Sequence, residues 1–217
     1  MWRMRPLAVA LAALGCASMR EPERSPDGLV RVPSGKPGTL FAKPDHNIGD
    51  YDNFLVAEIG LAYAAGQKPL SAQDESRVHQ MMADALSSNI RANAFEVVSE
   101  PGPCTLRIGF YLTGLEFYES AVQGSQKTFV HSYGAVTVVL ELRDSLTNQP
   151  LVRFGQRRRL GSGEQEGRVE PDLDRIGRAL RAMLADVGDS LQDVLPVTTA
   201  ARAERGCEGR VGRAAKR

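Results

Sequence analysis

Three cysteines, three histidines and one dense run of arginines are the side chains whose spacing could support chemistry. The histidines are His46, His79 and His131. No two of them have the His-x-x-x-His spacing that sets two imidazoles on one helix face for a metal. The cysteines are Cys16, Cys104 and Cys207, and no Cys-x-x-Cys pair exists. Neither a dithiol redox motif nor a zinc knuckle is therefore indicated. Residues 45–52 (DHNIGDYD) are rich in oxygen ligands. Counted from Asp45, an EF-hand loop would need Gly where Asp50 stands and Glu where Val56 stands. The segment reads as a polar turn. Gly161, Ser162, Gly163 and Gly167 fall between strand-like and helix-like patterns, at a spacing one residue too long for a dinucleotide loop. No Gly-x-Ser-x-Gly elbow occurs. The chain is expected to be non-enzymatic, with no metal and no cofactor.

The arginines are Arg153, Arg157, Arg158 and Arg159. Arg153, Arg157 and Arg159 share strand parity and so point to one face. Two readings follow. They could hold an anion such as a lipid phosphate or a peptide carboxylate. Or they could be a solvated strand whose charge deters edge-to-edge pairing. Tyr111, Phe117 and Tyr118 could likewise form a binding patch or pack on the sheet. The formal net charge of the whole chain is only +1, and residues 196–217 hold six basic residues against two Glu. The body is therefore acidic, which excludes a nucleic-acid partner.

Around Cys16 a different pattern appears. Arg3 and Arg5 make a basic start, residues 7–14 are an apolar run, and Gly15 precedes the cysteine. A span of the membrane needs about 20 apolar residues, so this run suits a signal h-region instead. Residues 13–16 (ALGC) resemble the lipobox of bacterial lipoproteins. That resemblance implies removal of residues 1–15 and lipid attachment at Cys16. Ala17 stands where an inner-membrane retention signal would have Asp, which implies an outer-membrane anchor facing the periplasm. The alternative is ordinary cleavage near Ala17 and a soluble product. In an oxidising compartment Cys104 and Cys207 could pair. They could also remain one half-buried thiol and one tail thiol.

Residues 16–39 carry Pro, Gly, Ser and charge without an apolar period, and are expected to be the lipidated Cys and a flexible linker. Residues 40–195 hold the patterned body. Residues 51–59 read as a strand. Ser71 with Asp74 three residues on predicts a helix start. Val78, Met82, Ala85, Leu86 and Ile90 then recur at helical spacing. Residues 95–99 read as a short strand before the turn at 100–103. Leu106, Ile108, Phe110 and Leu112 alternate with polar residues, as do Val136, Val138, Leu140 and Leu142. A turn cluster at 144–149 and a return strand at 151–160 complete a hairpin. A second helix is expected from Pro171 to Leu191. Residues 196–217 read as a basic disordered tail. The order implies an α+β two-layer sandwich, a mostly antiparallel sheet of about four to five strands packed by two amphipathic helices.

The Tyr51-led strand, residues 95–108 (FEVVSEPGPCTLRI) and residues 140–151 (LELRDSLTNQPL) resemble the bacterial lipoprotein family known as domain of unknown function 3313. The resemblance implies a lipid-anchored envelope protein, and it brings no catalytic residue with it. The element order is also similar to periplasmic lipoproteins that activate peptidoglycan synthases. The expected role is a binding or structural module whose partner is a protein or peptidoglycan component, with an adaptor for an envelope enzyme or an unrecognised enzyme as alternatives.

Overall fold

Ser71 opens the first helix. Its side chain accepts a hydrogen bond from the Asp74 backbone N–H, and helix α1 runs Ala72–Ala92. Asp74 and Glu75 in the first turn and Arg91 in the last complement the helix dipole. Val78, Met82, Ala85, Leu86 and Ile90 form one buried stripe.

The structure is a computed structural model and describes residues 23–34, 37–117, 134–160, 177–178, 181–184 and 204–214. Its strands are β1 (Val30–Val32), β2 (Thr39–Ala42), β3 (Asn53–Tyr63), β4 (Glu96–Val98), β5 (Thr105–Phe117), β6 (Gly134–Asp144) and β7 (Pro150–Leu160). They form one sheet in the order β1-β2-β7-β6-β5-β3-β4. The class is α+β, but the expected sheet of four to five strands is corrected: among the described residues it has seven, and it is mixed. β1 and the start of β2 lie inside the segment read as a linker. β1 and β4 have three residues each, too few to show a period. β3 pairs in parallel with both β4 and β5: α1 returns the chain to the end from which β3 started, and residues 99–104 bring it back there again after the three residues of β4. The remaining pairs are antiparallel.

Leu106, Ile108, Phe110 and Leu112 of β5, Val136, Val138, Leu140 and Leu142 of β6, and Val152 and Phe154 of β7 share one core with the stripe of α1. Phe54 and Phe95 meet edge to face at 5.2 Å between centroids. Residues 177–178 and 181–184 are helical, and Met183 and Leu184 enter the same core. Most of the second expected helix lies outside the described residues. Gly114 has φ +60° where the β5–β6 register shifts between Thr113 and Glu116. A side chain there would be strained, so glycine permits the bulge.

The disordered reading of residues 196–217 is corrected for 204–214. Helix α2 (Arg210–Ala214) lies there, and Val211 is buried in the core. The segment carries little apolar periodicity, and a covalent bond and polar caps hold it in place of an apolar stripe.

Candidate functional site

Two arrangements gather the polar side chains. The first is the sheet face turned away from α1. Alternation places Arg107, Gly109, Tyr111 and Thr113 of β5 on that face, with Thr137, Glu141 and Arg143 of β6 and Arg153, Gly155 and Arg157 of β7. Cross-strand register aligns Glu58 with Gly109, Gly109 with Glu141, and Glu141 with Arg153. One row thus crosses β3, β5, β6 and β7, and it continues through Phe41 of β2 to Arg31 of β1.

The charges in this row are paired. The Arg153 guanidinium donates to Glu141 and to Asp27, each at 2.6 Å. Arg143 reaches Glu141 at 2.8 Å. Arg107 and the Tyr111 hydroxyl both donate to the Glu58 carboxylate. Those two bonds hold Glu58 below the usual carboxylate range, the Tyr111 bond contributing most. Burial, reinforced by Glu58, pushes the Tyr111 hydroxyl up to about 12. Partial burial alone would raise Asp27, but hydrogen bonds from Ser25 and Arg153 outweigh it and the carboxyl sits low.

Tyr111 lies down along the sheet. A Cβ on Gly60 would come within 2.6 Å of Tyr111 Cδ1, and one on Gly109 within 2.7 Å of its hydroxyl. The two glycines are the bed on which the ring rests, and Ala at either would lift it.

The second arrangement is a clasp at one end of the sheet. Cys104 and Cys207 form a disulfide, with Cα atoms 5.5 Å apart. The Asp52 carboxylate accepts the backbone N–H groups of Glu208 at 2.8 Å and Arg210 at 2.9 Å, which caps α2. The Val211 N–H reaches the Tyr51 carbonyl at 3.0 Å. The Arg205 guanidinium lies 4.5 Å over the Tyr51 ring and 3.9 Å from Asp144. The Tyr51 hydroxyl donates to Asp144 at 2.6 Å, and Asp144 also accepts from Leu146 and Thr147 in the β6–β7 turn. The 45–52 turn therefore seats the C-terminal segment. Asp52, Cys104 and Cys207 place ligand atoms within 4.8 Å of one another. With the two sulfurs bonded together, they offer no thiolate pair to a metal.

Cys16, His131, Tyr118 and the glycines at 161–167 lie outside the described residues. Arg153 is on an inner strand here, since β7 pairs with β2 over residues 152–155 as well as with β6. The charged-edge reading does not hold for it. Arg157 meets Glu116 at 3.3 Å, and Arg159 is exposed. The three arginines do not converge on one anion. The Tyr111–Glu58 pair is not legible in sequence, because it depends on the parallel register of β3 with β5.

His46 supplies a pH dependence. It is buried, and its Nδ1 accepts the Ile48 backbone N–H at 3.5 Å, so the neutral ring fits the site. Burial lowers its pKa from 6.5. Below that value the unfolded chain binds a proton that the folded one resists, so stability falls as pH drops. Asp27, Glu58 and Asp144 are also lowered. Their contribution is full above the ordinary carboxylate values of 3.8 and 4.5 and is lost as pH falls through the depressed ones. Thermal unfolding from pH 8 to 3 should show two declines, the first beginning below about 6.5. His46→Asn should remove the first decline alone. An unfolding temperature that stays level from pH 7 to 5 in the wild type would contradict this assignment.

The fold and site define a two-layer α+β domain with a charge-balanced, polar sheet face and a disulfide-clasped C-terminal segment. The chain belongs to the family described as "Protein of unknown function (DUF3313)", whose model matches residues 23–187. Cys207 and α2 lie beyond that match. Among curated proteins, none matches the chain in sequence. Solved structures resemble it distantly. A PelC dodecamer from Paraburkholderia phytofirmans is 14% identical, with 68% of this chain and 94% of that chain covered and a TM-score of 0.33. A neuraminyllactose-binding hemagglutinin homologue from Helicobacter pylori is 10% identical, covers 80% and 92%, and has a TM-score of 0.38. A DUF4136 family protein from Bacteroides thetaiotaomicron is 11% identical, covers 70% and 97%, and has a TM-score of 0.36. Resemblances this distant extend to no ligand, partner or assembly.

Proposed function

We propose that the chain is an outer-membrane-anchored periplasmic lipoprotein whose domain binds another component of the cell envelope and performs no catalysis. The observation that carries this reading is the sheet face. Around Tyr111, Arg107, Arg143 and Arg153 are paired with Glu58, Glu141 and Asp27 across four strands, which makes a fixed, polar surface suited to holding a partner. The disulfide suits an oxidising compartment. The ALGC sequence at 13–16 supplies the anchor.

Radiolabelled palmitate should enter the wild type and not Cys16→Ala, and the labelled protein should sediment with outer membranes. A soluble, unlabelled wild type would sink the anchor. The binding role is read separately, by placing a photo-crosslinking residue at Thr113 or Thr137 on the face and at Gln80 on exposed α1. A discrete adduct from the face positions alone supports the role. Equal or absent adducts at all three count against it.

A further inference from the structure

We infer that the row centred on Tyr111 is a saccharide-binding surface that takes an uncharged oligosaccharide. This deepens the binding role proposed above and rests on it. Around Tyr111, from β3 to β7, three acids, Asp27, Glu58 and Glu141, meet three arginines, Arg107, Arg143 and Arg153, so this stretch of the row is rich in hydrogen-bonding groups yet carries no net charge, while Phe41 and Arg31 continue the row beyond it on β2 and β1. A polyanion finds no excess of positive charge here, and a polycation no excess of negative. An apolar partner would bury these pairs without replacing their water. A polyhydroxylated, uncharged ligand suits the row, since each hydroxyl can donate to a carboxylate and accept from a guanidinium.

Tyr111 supplies the other half of the recognition. Its ring is laid along Gly60 and Gly109 and its hydroxyl is tied to Glu58, so little freedom remains to be lost on binding. A recumbent aromatic ring flanked by planar carboxylates and guanidinium groups offers an apolar plane to the C–H face of a sugar and polar edges to its hydroxyls. From β3 to β7 the row spans three strand gaps, about 14 Å, which accommodates a short oligosaccharide and not one monosaccharide alone.

The test is calorimetric titration of the full chain, purified in detergent, with tetra-N-acetylchitotetraose, cellotetraose and maltotetraose, and with tetragalacturonate as the anionic counterpart. At least one uncharged tetramer should bind. Tyr111→Ala should weaken that binding by about fivefold or more, the equivalent of one aromatic contact. Tyr111→Phe keeps the ring and should retain most of the affinity, and Glu141→Gln should lose a measurable part. Circular dichroism of each variant separates lost binding from lost fold. The inference is overturned if no uncharged tetramer binds at millimolar concentration, if only tetragalacturonate binds, or if folded Tyr111→Ala binds as the wild type does. A silent titration alongside intact face-specific crosslinking would remove the saccharide and leave the binding module, with a protein as its partner.

Discussion

Replacing Cys104 and Cys207 together by Ser should lower the unfolding free energy by about 4–5 kcal/mol, the loop-closure contribution of a ring of about 100 residues. The two cysteines are separated by 103 positions, so the bond restrains nearly half of the unfolded chain. It also keeps the α2 segment beside its polar seats on Asp52 and Tyr51. Urea unfolding of the oxidised wild type and of the double variant, each extrapolated to water with its own slope, measures the effect. Hydrogen exchange at residues 208–213 should rise in the variant even in native buffer. A difference of less than about 1 kcal/mol would mean that the polar seats hold the segment without the bond.

Phe110→Ala should be nearly as damaging, at about 3–5 kcal/mol. Phe110 is wholly buried at the middle of β5, opposite Leu140 on β6 and Ile59 on β3. Deleting the ring leaves a cavity that three paired strands cannot close. Thr113→Ala, on the other face of the same strand, should cost under about 1 kcal/mol. Similar losses for the two variants would refute the assignment of faces along β5.

How much of this was legible in the sequence varied with the length of each pattern. α1 was readable because Ser71 and Asp74 mark its start and five apolar residues repeat along one side. The β6–β7 hairpin was readable because two long alternating runs flank residues rich in turn chemistry. β1 and β2 were not, since each is short and set among Pro, Gly and charge. β1 pairs with β2, and β2 in turn pairs with β7, more than 100 positions away. The parallel register of β3 was hidden too, and with it the meeting of Glu58, Arg107 and Tyr111 on one face. Besides Tyr111 as a candidate patch residue, the arginine parity on β7 pointed to that face. It suggested an anion site because the partner acids, Asp27 and Glu141, belong to other segments. The C-terminal segment reads as disordered by composition, and its order comes from one cysteine and one distant aspartate.

The early start of order in the chain changes the geometry of its leash. Glu23 already accepts a backbone hydrogen bond from Arg31, and Arg24 bridges to Val30. Were Cys16 the anchor, it would stand only seven positions from Glu23 and not at the far end of a linker running to residue 39, a reach of roughly 25 Å when taut. Asp27, at the end of the charged row, is only eleven positions from that cysteine. The domain would be held close against its membrane with one end of the row near the lipid surface, and would reach only ligands that come to that surface.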